Sequence, residues 1–165
     1  AALQEHRIDL GLVEGICRLP NLRYTTFLQD ELVAVVHTGS KLSLPDEITP
    51  EDLSRIPLVL RERGSGTLDV FERALSEHNM KLSSLNVLLY LGSTESIKLF
   101  LEHTDCMGIV SIRSISRELL SGTFRVIEIK GMPMLREFCF AQPQGQESGL
   151  SQVLMQFAMH HNKKL

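Results

Sequence analysis

Apolar positions fall in short dense runs broken by polar, glycine-bearing turns, and their spacing changes from run to run. Residues 1–7 read as the end of a helix, and residues 8–15 (IDLGLVEG) as an apolar strand ending at Gly15. A loop with Pro20 follows. Residues 22–37 read as strand, corner, strand, and the second piece (ELVAVVH) is almost continuously apolar, as expected of a strand covered on both faces. Thr49, Pro50 and Glu51 mark a helix start, with a hydroxyl cap and proline at the first helical position. Residues 56–60 predict a buried strand. Residues 67–79 predict a helix that puts Leu68, Phe71, Ala74 and Leu75 on one face. A strand over 86–91 precedes a helix to about His103, with Ile97, Phe100 and Leu101 facing inward. A short strand over 107–112, a helical turn over 114–120 and alternating strands over 124–129 and 136–142 follow. A last helix over about 147–162 sets Leu150, Val153, Leu154, Phe157 and Ala158 in one stripe.

Strands alternating with helices imply parallel βαβ units and an α/β fold. The strands at 56–60, 86–91 and 107–112 with their helices form one lobe, residues 55–129. The strands at 8–14, 22–37 and 136–142 with the final helix form another, residues 1–54 and 130–165. The chain then crosses the waist twice, near 49–56 and near 128–135. Two lobes so joined make a cleft, a preferred place for small ligands.

Length and charge narrow the classes. The 165 residues suffice to bury a core without disulfides or metals. Net charge is −3, so a basic face for phosphate backbone is not expected. Trp is absent and aromatics are 5%, which disfavours a base-stacking platform. No apolar run has the length to span a bilayer. Cys17, Cys106 and Cys139 are scattered and odd in number, with no CxxC, which fits a reducing cytoplasm and argues against a disulfide framework or structural zinc.

The candidate chemistry lies where strands hand over to helices. RERGSGT, residues 61–67, couples a buried strand to a helix whose first amides lack internal partners and carry the positive dipole end. Gly64 and Gly66 permit close backbone approach; Ser65 and Thr67 add hydroxyls. That combination suits a carboxylate, sulfate or phosphate. The plainer reading is a strand–turn–helix joint whose hydroxyls only cap. The stretch lacks the lysine of a Walker loop and the GxGxxG of a dinucleotide site, so no cofactor is expected. LGSTESIK, residues 91–98, repeats the arrangement with Ser93 and Thr94. Two such loops in one parallel sheet point outward from the same strand ends, so the pair says more than either alone. Catalytic residues do not assemble: Ser65 has no GxSxG context, and His and acidic residues do not recur at metal-ligand spacing. The expectation is therefore a non-enzyme with neither catalytic residues nor a metal. Met132 and Met134 around Pro133 suggest a mobile joint.

Taken in order, IDLGLVEG, LQDELVAVVH, ITPEDLSRIPLVLRERGSGT, LGSTESIKLFLE, MGIVS, RELLSGTFRVIEIKG and LREFCF resemble the effector-binding domain of LysR-type transcriptional regulators over nearly the whole chain. The resemblance implies two Rossmann-like, periplasmic-binding-protein-like subdomains with a double crossover, the first incomplete at its N-terminus. It also implies a small effector, an anion by the chemistry above, bound in the inter-lobe cleft to control DNA binding and transcription. By this resemblance Gly15 follows the first-lobe strand, and Ser65, Gly66, Thr67, Ser93 and Thr94 belong to second-lobe loops facing the cleft. The implied partners are the effector, further copies in a dimer or tetramer, and DNA only through a helix-turn-helix domain outside these residues. The alternative on the same architecture is a solute-binding module of a transport system. Where the family commonly has Gly-x-Gly-Ile, the chain has Cys106, Met107 and Gly108, so that turn is expected to differ.

Overall fold

The structure, a computed structural model, describes residues 3, 5, 7–14, 19–145 and 149–162. In chain order the strands are β1 (Gly11–Glu14), β2 (Leu22–His37), β3 (Glu47–Ile48), β4 (Leu58–Arg61), β5 (Val87–Leu91), β6 (Met107–Ser111), β7 (Phe124–Ile129) and β8 (Met134–Pro143). The helices are α1 (Gly66–Glu77), α2 (Thr94–His103), α3 (Ser116–Leu120) and α4 (Gly149–Asn162). Contacts divide the chain into two compact units, Asp30–Leu135 and the pair Ala1–Gln29 with Arg136–Leu165.

Asp30–Leu135 is built on two βαβ turns. β4 lies parallel to β5 on one side and to β6 on the other, and the second half of β2 closes against β6 antiparallel, from Leu32↔Ser111 to Val36↔Met107. Alternation along β4 sends successive side chains to opposite faces. Leu58 and Leu60 join Phe71 and Leu75 of α1 in one core, while Val59 joins Ile97 and Leu101 of α2, Val33 and Val35 in another. The two helices therefore cover opposite faces. Each fully buried Leu, Ile or Phe contributes about 1.5–3 kcal/mol of apolar transfer free energy.

Several details depart from expectation. Residues 22–37 form one continuous strand, with no corner, because Leu32–Val36 is laddered to β6 while Leu22 and Tyr24 pack in a separate small core. That continuity also moves the first passage between units to 29/30, away from the expected 49–56; the second lies at 135/136. The segment after Thr49 is a 3-10 helix, Pro50–Arg55, and the two-residue strand β3, invisible to a periodicity argument, pairs parallel with β7. The expected N-terminal helix end and Gly15 lie largely or wholly outside the described residues.

In the other unit β1 pairs antiparallel with β8, from Gly11↔Ala141 to Glu14↔Phe138. Leu3, Leu22 and Ala141 form its small core, with Val13, Leu19 and Tyr24 packed around them. The Arg136 guanidinium donates to Glu14 at 3.1 Å. In α4 the stripe Leu150, Val153, Leu154 and Phe157 forms as the spacing predicts but is exposed, and Ser151 is the buried position.

Candidate ligand-binding site

β4 and β5 run parallel and adjacent, so their carboxyl ends reach one edge of the sheet. α1 and α2 begin at that edge. The two loops are tied directly, the Glu62 N–H donating to the Leu91 carbonyl at 3.1 Å. The structure thus brings Ser65, Gly66 and Thr67 to the same sheet edge as Ser93 and Thr94.

Each loop is folded by its own polar groups. Ser65 caps α1, its Oγ accepting from the Leu68 N–H at 3.2 Å. Ser93 caps α2, its Oγ accepting from the Ser96 N–H at 3.1 Å. The capping oxygens are thereby used as acceptors, and the Ser65 O–H keeps its proton to donate. By helix geometry the first amides of α1 and α2, those of Gly66, Thr94 and Glu95, have no acceptor one turn back. The glycine whose backbone the turn requires is Gly64, at φ +86°, a region costly for a side chain; Gly66 is simply the first helical residue. Thr67 is buried, at 8% exposure, and holds a polar contact of its own, so its hydroxyl is less accessible than its position in the motif suggests.

The charges at this edge are asymmetric. Arg61 donates twice to Glu62, at 2.9 and 3.0 Å. This contact holds the Glu62 carboxyl below its ordinary value and raises Arg61, so the two cancel. Arg63 in the same loop is exposed and has no ion-pair partner among the described residues. Sequence reasoning passed over Arg63, although one unpaired arginine between a strand and a glycine turn was visible in RERGSGT. The edge therefore offers two helix N-termini and the guanidinium of Arg63, which favour anions, set against the first-turn carboxylates of Asp69 and Glu95, the latter paired with Lys98. Among the described residues no group of His, Cys, Asp and Glu is placed to hold a metal ion.

The LysR substrate binding domain matches residues 1–163. The uncharacterized HTH-type transcriptional regulator YeiE of Escherichia coli K12 is 32% identical over 128 residues, 78% of this chain and 42% of that protein. The regulatory domain of CcmR from Synechocystis PCC6803, solved in complex with 2-PG, superposes with TM-score 0.78 at 24% identity, covering 99% of this chain and 78% of that one. The effector-binding domain of QuiR, solved with shikimate, superposes with TM-score 0.73 at 19% identity, covering 99% and 76%. The fold is that of LysR regulatory domains, and the transport alternative finds no support. The chain spans less than half the length of the curated relatives it matches. A family match over nearly every residue, joined to the β4–β5 edge that carries its loops, leads to one conclusion: the chain belongs to the LysR substrate-binding domain family.

Proposed function

We propose that the chain is the effector-sensing part of a LysR-type transcriptional regulator and that its effector is a small anion held at the carboxyl edge of β4 and β5. The observation that carries this reading is the convergence of the Ser65–Gly66–Thr67 and Ser93–Thr94 helix starts on one sheet edge, with Arg63 uncommitted beside them. Gly15 is assigned to the same site by family resemblance. The second-lobe loops of the site fall within residues 55–129, inside the unit Asp30–Leu135. The full-length protein acts in the cytoplasm as a homo-oligomer and contacts DNA through a helix-turn-helix domain. It works without turnover: ligand binding shifts the population between two arrangements, which requires the effector to prefer one of them.

Amide NMR on the 165-residue chain tests the anion site. Sulfate, phosphate, 2-PG and shikimate are titrated against uncharged glycerol. At least one anion is expected to shift the Gly66, Thr67 and Thr94 amides saturably, and Arg63→Gln to weaken it about tenfold. Shifts elsewhere, or an equal response to glycerol, would remove this edge as the site.

A further inference from the structure

The start of α2 holds two opposed preferences for charge. Its free amides and its dipole favour an anion, yet Glu95, the second residue of the helix, brings a carboxylate into the same turn. A carboxylate there stabilises the helix, and one with no partner competes with any arriving anion for the same amides. Glu95 is not left without a partner. Its Oε1 accepts from the Lys98 ammonium at 3.0 Å, across one turn of the helix.

Lys98 reaches back to that first turn, where a cation opposes the dipole, so helix stability does not account for its position. Contacts from outside the helix do. The ammonium also reaches Glu118 of α3 at 2.6 Å and donates to the Ser114 carbonyl at 3.2 Å, so that with Glu95 all three of its donors are used. Arg113 and Arg117 line the same surface groove, and among the described residues the ion pair to Glu95 comes from Lys98. The two carboxylates are not equivalent. Glu118 is 20% exposed, and its bond to Lys98 belongs to the joint between α2 and α3. Glu95 is 78% exposed, and an exposed pair of this spacing adds little to stability. What the Glu95 contact changes is where that charge lies and whether it is compensated.

We propose that Lys98 is a positioning residue for the anion edge: by holding and neutralising the Glu95 carboxylate it keeps the start of α2 open to an incoming anion. The role rests on the anion reading of the β4–β5 edge. Sulfate titrated into the 165-residue chain at constant ionic strength, followed by the Gly66 and Thr94 amide signals, tests it. Lys98→Met is expected to weaken sulfate roughly three- to tenfold. Adding Glu95→Gln to that variant is expected to restore the parent affinity. Adding Glu118→Gln instead is expected to recover stability in urea without recovering affinity, which separates positioning from structural damage. Glu95→Gln alone alters an exposed side chain and is expected to bind sulfate at least as tightly as the parent, so it decides the matter even where Lys98→Met does not fold. Binding that Lys98→Met leaves unchanged, affinity rescued by Glu118→Gln in place of Glu95→Gln, or weaker binding by Glu95→Gln would each overturn the role of Lys98 while leaving the edge as a site. Absence of any saturable shift in the parent chain would remove the edge, and this role with it.

Discussion

Cys106 has no solvent exposure at the foot of β6, and burial, aided by the Asp105 charge beside it, pushes its thiol up to about 11. The thiolate is the reactive form, so Cys106 is a packing residue at neutral pH. Iodoacetamide at pH 8, followed by peptide mapping, is expected to leave Cys106 unlabelled in the native protein and to label it in urea. Two residues on, Gly108 lets α2 approach the sheet: a Cβ there would meet Ile97 Cγ2 at 3.0 Å and Leu101 Cδ1 at 3.1 Å. The Gly108→Ala variant is expected to lose about 1–3 kcal/mol by overpacking, read as a lower urea midpoint with an unchanged slope. The departure from the family's Gly-x-Gly-Ile pattern thus spares the glycine that the packing needs and puts a small buried thiol at the other.

At the scale of elements, the caps and one half-buried lysine fix α1, α2 and α3. Replacing Ser65 or Ser93 by Ala removes an acceptor from a helix start and is expected to cost about 1 kcal/mol each in denaturant unfolding. Lys98 joins α2 to α3, reaching Glu118 at 2.6 Å, Glu95 at 3.0 Å and the Ser114 carbonyl at 3.2 Å. Burial alone would lower Lys98, but the hydrogen bonds to Glu118 and Glu95 outweigh it and leave the ammonium raised. The bond from Lys98 holds the Glu118 carboxyl below its ordinary value. Its folded state therefore binds a proton less readily than the unfolded chain does. The resulting stabilisation is complete above the unfolded carboxylate value, about 4.3, and fades as pH falls through the lowered folded one. The Glu118→Gln variant is expected to be less stable than the parent by about 1 kcal/mol at pH 7, with the gap closing below pH 4. These elements were legible because their signals are local: RERGSGT and LGST announce caps, and Leu68, Phe71 and Leu75 announce a face. What sequence could not supply was long-range. β3 has two residues and exists only because β7 lies beside it. The continuity of β2 depends on partners more than 70 residues away, at Ser111 and Met107. For α4, spacing located the apolar stripe but could not say whether it is covered. At the candidate site, sequence placed both loops on one sheet edge and offered capping as the plainer role of their hydroxyls, which Ser65 and Ser93 fulfil; it passed over Arg63.

For the whole molecule, the division into units has an energetic meaning. Asp30–Leu135 is continuous in sequence and carries both larger cores, whereas in its companion, Ala1–Gln29 with Arg136–Leu165, Leu3, Leu22 and Ala141 form the core found among the described residues. A polypeptide restricted to residues 30–135 is expected to unfold cooperatively in urea and to keep slow hydrogen exchange along β4 and β6, while the amides of β1 and β8 in the 165-residue chain exchange first. The discontinuity also sets an order of events during synthesis. The first half of β2 leaves the ribosome early, but β8, its neighbour in the sheet, follows only after the 106 residues Asp30–Leu135. At about 5–20 residues per second that interval lasts roughly 5–20 s. For those seconds the nascent chain presents an unfinished strand to its surroundings, and newly made protein is exposed to a chaperone or a neighbouring polysome in a way the completed chain is not.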